Sequence, residues 1–356
     1  MAPFWKTLLL YVFGFSLLGV VIYTKWDGNP ATDPPTPGLS DVLDKPIDWT
    51  PLFIATGLCC AALFTSFVRW WTLVRAQDLP FSLYNAVRLG LVGYYLSTFL
   101  PGSIGGDLIK AYAISKEQTR RAVAVSTVLI DRGVGLWALF WMVSIIGSIL
   151  WLTGDPLLVN NVVLMGLVRF CVIIVSFTVF VWVALGFLPQ RRADRFARRL
   201  EWFPKVGHAL AEFWRAVWMY RKRPGAILLA LILSLITHTG WVLMFHFSAQ
   251  VFASTFPPNA IGTFAEHLLI VPAGMTGQAF IPTPGGVGGA EAFYGYLYFQ
   301  FLGRLAAVGV LACLTMRLIT WIVGFAGYIV YIRMRAKLPT PVEVAPAQTA
   351  DALPGA

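Results

Sequence analysis

Six apolar segments, each long enough to cross a bilayer, limit the folds that are open to this sequence. About 20 apolar residues at 1.5 Å each form a helix that spans a hydrocarbon core about 30 Å thick. Hydrophobic residues make up 58% of the 356-residue chain and charged residues only 12%, too few for the surface of a soluble protein. We therefore predict an all-α, polytopic transmembrane helical bundle. The six predicted spans are residues Thr7–Thr24, Leu52–Val74, Ala122–Trp151, Val162–Leu188, Gly225–Phe252 and Leu305–Tyr331.

Two further apolar regions, about residues 86–114 and 261–302, are each interrupted by a cluster of proline and glycine. The interruptions read PGSIGG and PTPGGVGG. Non-helical backbone at membrane depth is tolerated only where protein or a water-filled cavity shields it. We expect each region to be a re-entrant segment of two half-helices. The predicted break residues are Pro101, Gly102, Gly105, Gly106, Pro284, Gly285, Gly288 and Gly289.

The distribution of lysine and arginine predicts the topology. Arg75 and Arg88 precede the first broken region and Lys116, Arg120 and Arg121 follow it, so the positive-inside rule places both flanks in the cytoplasm. The second broken region has no basic cluster on either flank, whereas the last span ends in one. We expect the second region to enter from outside and both termini to be cytoplasmic.

The two halves of the chain carry matching motifs. PGSIGG at 101–106 aligns with PGGVGG at 284–289, and Arg132 and Arg317 each stand nine residues after the valine of an Ala-Val pair. The same order of elements in opposite orientation is the inverted-repeat plan of many secondary transporters. We predict one membrane domain at 1–337, with repeats at about 7–151 and 162–332, a cytoplasmic basic loop at 189–223 and a disordered Pro/Ala-rich tail at 338–356.

Charged residues inside the predicted spans are the candidates for function. Arg132 and Arg317 lie near the expected midplane, where an arginine costs at least about 2.5–3.5 kcal/mol and normally has a partner. Asp107 and Glu291 follow the two GG breaks, where helix N-termini stabilise carboxylates. We expect these acids, and less favourably Asp131, to pair with the arginines in an empty site that otherwise binds an anionic headgroup. The alternative is a set of static ion pairs that hold the bundle together.

Other reactive residues lack the spacing of a known site. Glu266 and His267 are candidate coupling residues for proton movement, and His238 and His246, eight residues apart, are expected to form hydrogen bonds and not to bind a metal. The four cysteines lie inside apolar runs. The sequence has no Walker loop, no G-x-S-x-G elbow and no H-E-x-x-H motif, so we expect neither enzyme activity nor a cofactor or metal.

A basic segment between Gln190 and Arg223 contains ten Lys/Arg and three acids. Between two spans, this composition indicates a cytoplasmic loop and does not suggest nucleic-acid binding. Aromatic residues alternate with the arginines, and Pro204 divides the segment. This pattern is typical of two amphipathic helices that lie on an anionic leaflet.

Several motifs carry a resemblance to a known family. They are Arg69-Trp70 at the end of the second span, PGSIGGD followed by a basic cluster, Asp131-Arg132, and the later PTPGGVGGAE. From about Thr7 to Arg335 the chain resembles the flippase-like membrane domain of lysylphosphatidylglycerol synthases, the multiple peptide resistance factor group.

The resemblance implies movement of a lipid between leaflets, through a cavity lined by Asp107, Arg132, Glu291 and Arg317. It also implies the cytoplasmic membrane of a prokaryote. The sequence ends within about 25 residues of its last span, so we expect a stand-alone form without the aminoacyl-transferase domain. The expected substrate is then an anionic phospholipid or a polyprenyl-phosphate lipid.

Two other functions remain open at this stage. The same arginines suit a secondary transporter for a small soluble anion. Alternatively, the chain is a non-transporting membrane partner of a lipid- or glycan-modifying enzyme, which would dock on the basic loop. Besides such an enzyme, we expect membrane lipids as partners. We do not expect the protein to bind nucleic acid.

Overall fold

The computed structural model describes residues 4–29, 36–100, 105–204 and 207–335. These ranges are helical and contain no β-strand. In chain order the helices are α1 (Phe4–Thr24), α2 (Trp49–Arg75), α3 (Leu83–Phe99), α4 (Gly105–Glu117), α5 (Arg121–Leu152), α6 (Pro156–Val159), α7 (Val162–Phe187), α8 (Gln190–Leu200), α9 (Gly207–Arg221), α10 (Pro224–Gln250), α11 (Phe264–Phe280), α12 (Gly289–Leu302) and α13 (Ala306–Arg335).

Six of these helices are long and apolar enough to cross a membrane, which confirms the predicted all-α, polytopic bundle. They are α1, α2, α5, α7, α10 and α13. Large apolar side chains on their outer faces are exposed, as on α7, where Phe177 and Phe180 are 61% and 69% exposed. Such faces suit a hydrocarbon environment. The predicted tail at 338–356 lies outside the described residues.

Local sequence explains where several helices begin. The side chains of Asp48 and Ser82 accept hydrogen bonds from the backbone N–H groups of the first turns of α2 and α3. Asn161 does the same for α7. Thr263 starts α11 with a capping box that Glu266 completes. Short polar side chains at these positions satisfy N–H groups that have no partner within the helix.

The first broken region folds into a helical hairpin of α3 and α4. At its open end, Arg88 of α3 forms an ion pair with Glu117 of α4 at 3.4 Å. Near the turn the two backbones approach so closely that a Cβ on Gly106 would lie 1.9 Å from the carbonyl oxygen of Gly93. The chain therefore leaves and returns at the same end. Of the predicted break residues, Pro101 and Gly102 lie outside the described residues.

The second broken region forms the matching hairpin of α11 and α12. Glu266 at the start of α11 contacts Arg304 just beyond the end of α12. At the turn, Gly285 and Gly288 have φ values of 56° and 80°, which side chains other than glycine rarely tolerate. The turn therefore needs these glycines, although re-entry of either hairpin into a bilayer stays a prediction.

The helices of the two halves pack in a reciprocal way. α3 packs on α13, and α11 packs on α5, so each hairpin contacts the long helix of the other half. At the centre, α2 and α10 run antiparallel, because the N–H of Asp48 bonds the carbonyl of Val251 while Arg69 bonds Ser234. Antiparallel equivalent helices are typical of two halves in opposite orientation. The repeat boundaries themselves stay a prediction.

Helix α1 contacts both hairpins close to the point where each chain reverses. The Tyr11 hydroxyl donates a hydrogen bond to the carbonyl of Phe99, the last residue of α3. Three residues later, Gly14 lies against Thr283 and Val287 at the second turn. The chain reversals of the two hairpins are therefore close together, on one side of α1.

Candidate functional site

A cavity of about 290 Å³ lies between the end of α3, the turn between α11 and α12, and the middle of α13. Its wall is mostly apolar, with Trp241, Met275, Met316 and Trp321 among the lining side chains. Polar groups are concentrated on one side. They include Ser97, Thr98, Gln278, Thr283, Arg317 and Thr320. The cavity thus combines an apolar wall with a polar region that contains one fixed cation.

Arg317 is held in the cavity wall by two partners. Its Nε donates to Oε1 of Glu291, and its Nη1 donates to the carbonyl of Gly285 at 2.9 Å. Oε2 of Glu291 accepts the N–H of Gly288 at 2.7 Å, so both carboxylate oxygens are occupied. Nη2 of Arg317 has no oxygen or nitrogen acceptor among the described residues. This nitrogen can donate to a ligand while the ion pair stays intact.

Gln278 reinforces the same side of the cavity. Its side-chain nitrogen donates to the carbonyl of Gly285 at 2.9 Å, the oxygen that also accepts from Arg317. The carbonyl of Thr98 lies close to Gly285 across the cavity wall, since a Cβ there would be 2.8 Å away. The second turn, α3 and α13 therefore position Arg317 together.

The first half contains the equivalent ion pair. Arg132 of α5 contacts Asp107 in the first turn of α4, 25 residues earlier, as Arg317 contacts Glu291 26 residues earlier. The Arg132 and Asp107 side chains are 34% and 22% exposed, against 7% and 0% for the second pair. The described lining of the central cavity includes neither of them. Of the four residues that the resemblance implies for a lipid cavity, Arg317 is the one among the lining residues described for this cavity, and the role of all four stays a prediction.

Asp131 does not pair with Arg132, contrary to the less favoured expectation from sequence. Its Oδ1 accepts a hydrogen bond from Nε of Arg69 at 2.7 Å, and its Oδ2 lies 3.9 Å from Nζ of Lys110. Successive residues of a helix point about 100° apart, so Asp131 faces α2. Arg69 also donates to Ser234 of α10 at 3.1 Å. This buried cluster joins α2, α4, α5 and α10.

Glu266 and His267, the candidate coupling residues, lie in a polar network at the open end of the second hairpin. Glu266 accepts two hydrogen bonds from Arg304, at 2.7 and 2.9 Å, and completes the capping box of α11. His267 lies 2.9 Å from His246, nitrogen to nitrogen, and also contacts the Tyr298 hydroxyl. These contacts give both residues a structural role, and proton coupling stays a prediction. His238 bonds the carbonyl of Gly135 at 2.9 Å.

A family model for the lysylphosphatidylglycerol synthase transmembrane region matches residues 43–327. The chain belongs to this family. Members carry a membrane domain that is linked to lipid modification and flipping. The match includes both hairpins and both ion pairs, and it leaves out α1. No curated protein and no solved structure matches the chain at a significant level.

In this member of the lysylphosphatidylglycerol synthase transmembrane family, the structure adds site residues that the sequence did not single out. Arg69 appeared only as part of a shared motif, and no motif pointed to Lys110 or Arg304. Gln278 had no signal at all. A systematic search for charges near the ends of apolar segments would have found Arg69 and Arg304. No group of three His, Cys, Asp or Glu residues in the described ranges could hold a metal.

Proposed function

We propose that the protein is a lipid translocase, which moves an anionic phospholipid or a polyprenyl-phosphate lipid between leaflets by alternating access. The observation that carries the proposal is Nη2 of Arg317, a donor without an oxygen or nitrogen acceptor among the described residues, in a cavity with a largely apolar wall. Arginine binds phosphate oxygens through charge-assisted hydrogen bonds. The apolar wall can shield the adjoining part of a lipid.

The cavity favours a lipid over a small soluble anion. A small anion gains little from contact with Trp241, Met275, Met316 and Trp321, which occupy much of the wall. An amphipathic molecule uses both the cation and the apolar wall.

We place the protein in the cytoplasmic membrane of a prokaryote, with both termini in the cytoplasm. We infer that its activity is transport and not catalysis.

The two hairpins provide elements that can move relative to each other. Each one packs on the long helix of the opposite half, so a rocking motion changes access to the cavity between α3, α11 and α13. Movement of one repeat against the other around a fixed site is the general mechanism of inverted-repeat transporters. Arg317 would stay bound to Glu291 and present Nη2 to the lipid phosphate throughout.

The test is leaflet exchange in reconstituted vesicles. Fluorescent phosphatidylglycerol and a fluorescent polyprenyl phosphate are followed by chemical quenching of the outer leaflet. We expect exchange with the natural protein and its loss in the R317M/E291Q double variant, which removes the cation without leaving a buried anion. R88Q, which alters an ion pair at the open end of the first hairpin, is the matched control.

Three outcomes contradict the proposal. One is exchange no faster than in empty vesicles across the lipid panel. Another is full exchange by R317M/E291Q. A third is complete inhibition by millimolar inorganic phosphate together with uptake of phosphate itself, which would identify a soluble-anion transporter.

A further inference from the structure

The helical hairpin α8–α9, between the spans α7 and α10, carries a concentrated positive charge. Helix α8 has five exposed arginines and a single acid, Asp194, which accepts a hydrogen bond from Gln190 at 3.1 Å. None of the five forms an ion pair within the part of the chain that the structure describes. They are Arg191, Arg192, Arg195, Arg198 and Arg199.

Helix α9 fixes the position of these arginines. The indole of Trp214 donates to the carbonyl of Ala193 at 3.1 Å, and its ring packs edge-on against Phe196 at 4.7 Å. Trp218 donates to the Gln190 side chain at 2.7 Å. The arginines therefore lie on a packed helix whose opposite face is buried against α9.

A separate apolar groove of about 440 Å³ runs between α5, α7 and α9. Several polar side chains in its wall form hydrogen bonds within the protein. Trp137 donates to the Thr178 hydroxyl at 2.8 Å, and the Tyr220 hydroxyl donates to the carbonyl of Leu73 at 2.8 Å. Along α7 the groove extends from Phe177 to Leu185, about 12 Å at 1.5 Å per residue. A groove whose wall is almost entirely apolar suits a hydrocarbon chain.

The groove and the arginines adjoin at the end of α7. Leu185 lines the groove, and Leu188, about one turn further on, lines a pocket next to the arginines. On α9 the consecutive residues Phe213 and Trp214 line the groove and the pocket, respectively. The basic members of the pocket are Arg192, Arg195 and Arg199.

We propose that this surface is a second lipid site, which holds one anionic phospholipid of the adjacent leaflet. The phosphate binds Arg192, Arg195 and Arg199, and one hydrocarbon chain occupies the groove between α5 and α7. The described linings of this site and of the central cavity share no residue, so this site is separate from the cavity that contains Arg317. The inference therefore goes beyond the proposed function.

The exposed aromatic residues favour a membrane lipid over an acidic protein as the occupant. Trp202 and Phe203 follow α8 and are 92% and 56% exposed, beside Arg198 and Arg199 in the same surface. Tryptophan and phenylalanine beside arginines are typical of segments that lie in the headgroup region. An acidic protein would use the arginines and leave the groove empty.

The test is lipid binding to the purified full-length protein, measured by native mass spectrometry with dioleoyl-phosphatidylglycerol and dioleoyl-phosphatidylcholine. Each basic residue near an anionic headgroup contributes about fivefold, so R192Q/R195Q/R199Q should lower phosphatidylglycerol affinity by about a hundredfold. Phosphatidylcholine binding should change little. All measurements are repeated with R317M/E291Q, which separates this site from the central cavity.

Filling the groove tests the hydrocarbon chain. Gly133 lines the groove, and a Cβ there would meet no atom within 4 Å, so G133L fills space without a clash at its Cβ. Gly166 on α7 also has open space but lies outside the groove, which makes G166L the matched control. We expect G133L to weaken both lipids at least fivefold, and G166L to weaken neither.

Any of three results overturns the proposal. If the triple arginine variant keeps its preference for phosphatidylglycerol, the arginines serve another ligand, such as an acidic protein. If G133L binds both lipids normally, or if glycerol 3-phosphate displaces the lipid completely, the groove holds no chain and only the headgroup is recognised. If the natural protein binds phosphatidylglycerol at this site as expected but shows no lipid exchange in vesicles, that result contradicts the proposed function alone.

Discussion

Replacing Arg317 with methionine measures what the buried ion pair with Glu291 contributes to folding. Glu291 is fully buried, so the variant leaves a carboxylate without a countercharge inside the bundle. Removal of one partner from a buried pair costs about 3–5 kcal/mol. The equivalent change at Arg132 should cost less, because its side chain and that of Asp107 are partly exposed and the remaining carboxylate is not enclosed by protein on every side.

Thermal unfolding in detergent, followed by the fluorescence of the 14 tryptophans, measures the difference. We expect R317M to lower the midpoint by about 5 °C or more and R132M to lower it less. The double variant R317M/E291Q should recover most of the loss. It has no buried charge, and the amide oxygen of the substituted side chain can still accept the N–H of Gly288, as the Glu291 carboxylate does.

Two results would refute this reasoning. If R317M and R132M unfold at the same midpoint, burial does not distinguish the two ion pairs. If R317M/E291Q is no more stable than R317M, the loss comes from packing and not from the unpaired carboxylate.

Two further predictions concern packing and the second charged cluster. G106A should lower the unfolding midpoint and the yield of monodisperse protein, because its Cβ would lie 1.9 Å from the carbonyl oxygen of Gly93. The control is G105A, whose Cβ would lie 3.5 Å from its nearest neighbour and which should behave as the natural protein. Equal behaviour of the two variants would contradict the close approach of α3 and α4. R69M should destabilise the protein in the same assay, by less than the about 3–5 kcal/mol of a fully unpaired buried charge, since Lys110, 3.9 Å away, remains as a countercharge for the buried Asp131. R69M/D131N should restore part of that stability. A double variant no better than R69M would argue against an ionic role.

The sequence alone was sufficient to predict the spans and the positions of the two breaks. Segment length and hydrophobicity decide whether a helix crosses a bilayer, and both are local properties of the chain. Proline and glycine act locally too, and the glycines at 285 and 288 adopt the positive φ values that their residue type permits. The paired GG motifs also indicated which acids stand near Arg132 and Arg317.

The ion-pair partners of the charged side chains, and how exposed those side chains are, could not be predicted from the sequence. Asp131 is adjacent to Arg132 in sequence yet bonds Arg69, 62 residues away, because the rotation of α5 turns it towards α2. Burial of Glu291 behind Arg317, and the Arg317 donor that meets no oxygen or nitrogen acceptor among the described residues, depend on how α12, α13 and the second turn pack together.

The apolar groove between α5, α7 and α9 could not be predicted from the sequence either. Its wall combines residues of α5, α7 and α9 that are far apart in the chain. The sequence of each helix alone has the pattern of an ordinary apolar or amphipathic segment. Hydrophobicity and backbone preference are properties of single segments, so the sequence by itself determined the helices and their interruptions. Ion pairs and cavities depend on the rotation and contact of several helices, and only the tertiary structure decided those.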